Sequence, residues 1–148
     1  MKGPSSTLVL DAAVLIAAVF GRSAGAIIRA ARASVLVTTD RVLDEARRRI
    51  ELGLKRPELL ELLDELMTVV TIVPVTALEP FLSQCEVALR DAVASRNGSV
   101  RDAHLLALAR SMDADIWTTD RDFASTGVAT WSTPNLMRGL AAAVGRAV

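Results

Sequence analysis

Six carboxylates in the 148-residue chain stand at the ends of β-forming runs or at helix starts, where a divalent-metal site would use them. Asp11 closes the apolar run Thr7-Leu8-Val9-Leu10. Asp44 and Glu45 fall in the first turns of the helical pattern that follows a second β-rich run at 35–38. Asp120 and Asp122 follow a later run at 115–118, and Asp102 stands in Ser99-Val100-Arg101-Asp102, which has the spacing of a capping box. Carboxylates gathered in one pocket repel one another, and their pKa values rise unless a cation compensates them. An all-oxygen donor set suits Mg²⁺ or Mn²⁺. One or two such ions activate water and stabilise the leaving oxygen in phosphodiester hydrolysis. Asp11 carries most weight, because an unpaired carboxylate inside an apolar stretch is costly to bury. Each acid also has a plainer role open to it: a loop or N-cap position for Asp11, a cap for Asp102, turn positions for Asp120 and Asp122, and a pair between Glu45 and Arg49 one turn on. Helical phase does not separate Glu45 from Asp44.

The elements that must position these acids follow from the hydrophobic pattern. Strands are expected at 7–10, 35–38, 69–75, 115–118 and 128–131, the third continuous in apolar and β-branched residues. Helices are expected at 12–20 and 23–33, broken at Gly21, then from Thr39 or Asp40 to a stop at Gly53. Further helices are expected at 57–66, at 76–95, from Ser99 onward, and from Thr133 to about Val144. Strands alternating with helices predict an α/β fold with a parallel sheet covered on both faces. In open sheets of this kind the active site lies beyond the carboxyl ends of the strands. Asp11, the Asp44–Glu45 pair and the Asp120–Asp122 pair share that rim. The rim of the Asp102 helix does not follow, since two helices separate the third and fourth strands.

Composition bounds the function. With 51% hydrophobic residues and a mean hydropathy of +0.37, the chain has enough apolar surface to order itself as a single domain over residues 1–148. Seventeen basic and seventeen acidic residues cancel, so any nucleic-acid contact must come from a local patch. Fifteen of the basic residues are arginine, whose fork matches phosphate oxygens; Arg22, Arg47, Arg48 and Arg101 are the candidates beside the acids. Cys85 and His104 are single, which excludes a zinc site built from several such ligands and any internal disulfide, and fits a reducing cytoplasm. Asp11 interrupts the apolar N-terminal stretch and argues against an export signal, and no apolar run is long enough to span a membrane. Gly21-Arg22-Ser23-Ala24-Gly25 matches the G-x-S-x-G elbow of hydrolases, but the segment before it reads as helix where the elbow needs a strand. No phosphate-binding G-x-x-x-x-G-K-S/T loop is present. A receiver domain would need a lysine after the last strand, and the lysines are Lys2 and Lys55.

Four blocks resemble the PIN-domain nucleases, including the VapC-type toxins of toxin–antitoxin pairs. They are Leu8-Val9-Leu10-Asp11, Arg41-Val42-Leu43-Asp44-Glu45, Asp102-Ala103-His104-Leu105-Leu106-Ala107-Leu108-Ala109 and Ile116-Trp117-Thr118-Thr119-Asp120-Arg121-Asp122-Phe123. The resemblance implies a three-layer α/β/α sandwich with a central five-stranded parallel sheet. It implies a catalytic quartet of Asp11, Glu45, Asp102 and Asp120. The metal, Mg²⁺ or Mn²⁺, would be held by Asp11, Asp102 and Asp120 with Asp122 as an auxiliary acid, and Thr118 would supply a nearby hydroxyl. It further implies RNA as substrate, a cognate antitoxin protein in the groove, and a homodimer. The exposed faces of the second and fourth helical segments are candidates for either protein contact. The chain departs from the family at Ala13, where an Asn, Ser or Thr is usual two residues after the first Asp. A catalytically inactive PIN-like module that binds RNA or protein is the alternative reading.

Overall fold

A computed structural model describes residues 3–21, 24–82, 103–119 and 126–147. Five strands form one sheet: β1 (Thr7–Leu10), β2 (Val35–Thr39), β3 (Val70–Val73), β4 (Asp115–Trp117) and β5 (Thr130–Trp131). Their order is β3-β2-β1-β4-β5, and every pairing is parallel. β1 is central, and Leu8, Val9 and Leu10 are fully buried on both faces, as a strand covered by helices on either side requires.

The sheet is flanked by α1 (Ala12–Val19), α2 (Ala24–Ala33), α3 (Asp40–Arg48), α4 (Leu60–Leu66), α5 (Ala103–Ser111) and α6 (Thr133–Ala147). α1 packs against α2, α3 and α4, α5 lies against β1, β2 and β4, and α6 meets α2. The expected α/β/α sandwich is therefore the observed one. Burial explains the local sequences. Every residue of α5 from Ala103 to Ala109 is buried, His104 included, so this stretch of helix is covered on all sides. α3 instead buries only Val42 and Ala46, four residues apart, and turns its charged side outward.

Three expectations are adjusted by packing. The third strand runs only over Val70–Val73, and it forms one edge of the sheet with Thr71 and Ile72 exposed. An apolar, β-branched run marks a strand without distinguishing a central position from an edge. The helix expected to continue to Gly53 changes form at Arg49, where the π-helical turn Arg49–Gly53 follows α3. Lys55 then takes a left-handed backbone (φ 54°) before Pro57 opens the 3-10 turn that leads into α4. The helix expected at 76–95 begins as a 3-10 turn, Val75–Leu78, and residues 83–102 lie outside the described part, as does the capping box at Ser99. Gly21 separates α1 from α2 as expected, in the left-handed conformation (φ 83°) that ends helices.

Candidate active site

The C-terminal ends of β2, β1 and β4 lie side by side, and each leads into a polar residue. β1 ends at Leu10, and Asp11 is the N-cap of α1; its Oδ1 accepts from the Val14 backbone N–H at 2.9 Å. A carboxylate at this position meets the exposed N–H groups and the positive end of the helix. Asp11 is only 8% exposed, so its carboxylate is held inside the protein. Oδ2 accepts a hydrogen bond from Oγ1 of Thr118, which follows β4 and is itself buried. The Asp11 N–H donates to the Trp117 carbonyl at 3.3 Å, continuing the β1–β4 pairing past the last strand residue.

β2 ends at Thr39, which caps α3: its Oγ1 accepts from the Val42 N–H at 3.1 Å. Of the two capping candidates, Thr39 and Asp40, the structure selects Thr39. Asp40 ties the start of α3 to the loop after β3, its Oδ1 accepting from the Val75 N–H at 2.9 Å. Asp44 and Glu45 lie in α3 and are both exposed. α3 packs on α1, so the helix bearing Glu45 stands beside the helix that Asp11 caps. The ion pairs among the described residues are Arg47–Asp64 and Arg56–Glu58, so Glu45 is not committed to Arg49.

The other proposed site residues divide plainly. Arg48 is exposed, whereas the Arg47 guanidinium donates to Asp64. Asp102, Asp120, Asp122, Arg22 and Arg101 lie outside the described residues. Among the described residues no three His, Cys, Asp or Glu side chains gather as a metal group. The donors that do meet, a carboxylate and a hydroxyl on one strand rim, are hard oxygens and fit Mg²⁺ or Mn²⁺ better than a thiophilic metal. One residue escaped the sequence reading. Thr38, fully buried at the end of β2, donates from Oγ1 to the Leu10 carbonyl at 2.7 Å. In the sequence it is one more β-branched strand residue, and nothing local marks it.

A family model described as the PIN domain matches residues 9–141. The chain belongs to the PIN domain family. No curated protein matches the chain. Among solved structures, this PIN domain resembles VapBC2 from Rickettsia felis bound to a DNA fragment from its promoter, with a TM-score of 0.66 at 14% identity over 85% of this chain and 98% of that one. It also resembles a protein from Pyrobaculum aerophilum, with a TM-score of 0.60 at 18% identity over 92% and 96% of the two chains. A third similar structure is Mycobacterium tuberculosis VapC20, described as a sarcin-ricin loop cleaving toxin, with a TM-score of 0.56 at 20% identity over 82% and 95%. At these identities the likeness is one of fold. Among the described residues of the PIN domain, no helix is long and apolar enough to cross a membrane.

Proposed function

We propose that this PIN domain is a Mg²⁺- or Mn²⁺-dependent endoribonuclease, the toxin of a toxin–antitoxin pair acting in the cytoplasm. The observation that carries the reading is Asp11: a buried carboxylate at the end of the central strand, oriented by the Val14 N–H and the Thr118 hydroxyl. Orientation by hydrogen bonds from neighbouring groups is what a metal-ligating carboxylate needs. The catalytic set is Asp11, Glu45, Asp102 and Asp120, and Asp11, Asp102, Asp120 and Asp122 hold the metal. When bound, the ion activates a water and neutralises charge on the phosphate. Asp11 contributes a carboxylate fixed before the ion arrives, Thr118 keeps it from rotating, and Glu45 is contributed by α3, the helix packed beside α1. Arg48, with Arg22, Arg47 and Arg101, supplies phosphate contacts.

The likeness to VapBC2 and to the sarcin-ricin loop cleaving toxin VapC20 supports a partner antitoxin and an RNA substrate for this chain as well. Homodimerisation or antitoxin binding would use the apolar side chains left exposed on α2 and α4, Ile28 at 52% and Leu62 at 39%. The test is RNA cleavage with Mn²⁺ by the parent chain and by Asp11→Asn. Cleavage by the parent alone supports the nuclease. Equal signals, or none, overturn it and leave a PIN-like module that binds RNA or protein without cutting.

A further inference from the structure

The peptide unit between Leu10 and Asp11 is held from both neighbouring strands. Its carbonyl accepts from the Thr38 hydroxyl of β2 at 2.7 Å, and its N–H donates to the Trp117 carbonyl of β4 at 3.3 Å. The Thr38 bond stands where the β1–β2 pairing ends. β1 pairs with β2 at Thr7–Val35, Leu8–Leu36 and Val9–Val37, while β2 continues on its other side with Thr38–Ile72 and Thr39–Val73. A side-chain hydroxyl thus extends the hold of β2 on β1 one residue beyond the backbone ladder. Thr38 is fully buried, so water does not substitute for it. Because a peptide unit is planar, gripping its oxygen and its nitrogen from opposite sides limits how far the plane can shift, and so restrains the point from which the Asp11 side chain leaves the backbone.

We propose that Thr38 is a positioning residue for the metal site: it does not touch the ion or the RNA but sets the aim of the Asp11 carboxylate. The proposal rests on the metal-dependent reading above and goes beyond it in assigning a role to a strand residue of β2. Thr118 and the Val14 N–H restrain the two carboxylate oxygens, but those restraints act on a side chain whose backbone origin Thr38 helps to hold. Removing the hydroxyl frees the peptide to tilt about the remaining Trp117 bond, and the carboxylate then meets the ion from a distribution of directions.

The experiment is calorimetric titration of Mn²⁺ into the full chain, without RNA, for the parent, Thr38→Val and Thr38→Ser. Thr38→Val keeps the shape and removes the donor; its Mn²⁺ affinity is expected to fall by about 10-fold or more, as for other residues that orient metal ligands. Thr38→Ser keeps the donor and is expected to bind as the parent does. Should Thr38→Val fail to fold, Thr38→Cys, close in size and a weaker donor, is read in its place. Urea unfolding of the same variants separates the two roles. Stability lost with Mn²⁺ affinity unchanged in the folded variant overturns the positioning role while leaving the metal site intact. A parent chain that binds no Mn²⁺ overturns the metal site, and the role of Thr38 with it.

Discussion

Thr118 donates its hydroxyl hydrogen to Oδ2 of Asp11, joining two strand ends 107 residues apart in sequence. The pair sits between β1 and β4, and the opposite carboxylate oxygen is taken by the N-terminus of α1. Asp11 therefore has a structural task and a chemical one, and substitutions separate them. Asn keeps an acceptor for the Val14 N–H, so Asp11→Asn should retain the fold while RNA cleavage is lost. Asp11→Ala should lose cleavage and about 1 kcal/mol of stability besides, the worth of a cap. Urea unfolding alongside a cleavage assay checks both; an Asn variant that still cuts RNA contradicts the assignment.

Thr118→Val removes the donor to Oδ2 with little change of volume. Cleavage should fall by about 10- to 100-fold, the usual cost of losing a group that orients a metal ligand. Thr118→Ser should restore most of it. Steady-state rates at saturating Mn²⁺ read the difference, and a Val variant as fast as the parent shows that the hydroxyl is incidental.

Metal binding and folding are linked, because an ion that binds only the folded chain stabilises it. Mn²⁺ at 100 times its dissociation constant should add about 2.7 kcal/mol to the unfolding free energy. Chelation should reverse the gain, and Asp11→Asn should show little of it. Thermal unfolding with and without Mn²⁺ makes the comparison, and equal gains in parent and variant place the ion elsewhere.

Arg47 and Arg48 are adjacent in α3 but differently engaged, since Arg47 is held by Asp64 of α4 and Arg48 is exposed. Arg48→Gln should weaken RNA binding and reduce the slope of log affinity against log salt by about 0.7, one single-strand phosphate contact. Arg47→Gln should in addition cost at most about 1 kcal/mol of stability, the range for a partly exposed ion pair. An unchanged slope for Arg48→Gln removes it from the RNA path.

Gly139 in α6 is packed too closely for a side chain to enter without its neighbours yielding. A Cβ there would lie 3.0 Å from Cδ of Pro4 and 3.2 Å from Cζ3 of Trp131, the latter in a rigid, planar indole. Alanine favours a helix over glycine by about 1 kcal/mol, but overpacking typically costs 1–3 kcal/mol. Gly139→Ala should therefore be net destabilising. Gly145→Ala in the same helix meets nothing within 4 Å and should be stabilising. Urea midpoints of the two variants should move in opposite directions; a shared direction refutes the steric argument.

The alternation of strands and helices, the parallel sheet and the place of Asp11 at the end of the first strand are all legible in the chain itself. Each is a local property: periodicity marks an element by its own side chains, and a carboxylate ending an apolar run stands out without any partner. The family could be reached the same way, because its blocks are short, local runs of sequence that each carry an acid. What local pattern does not carry is pairing. That β3 is an edge strand with Ile72 exposed, that Arg47 is occupied by Asp64, and that Thr39 caps α3 while Asp40 holds Val75 all depend on which elements become neighbours. The hydroxyl on the Leu10 carbonyl comes from 28 positions away and the one on the Asp11 carboxylate from 107, since strand order β3-β2-β1-β4-β5 sets β2 and β4 on either side of β1. Thr118 stood out only through the resemblance, and Thr38 reads as an ordinary strand threonine until the sheet is assembled, because a hydrogen bond is a relation in space and the crossovers between parallel strands decide which hydroxyl meets which carbonyl or carboxylate.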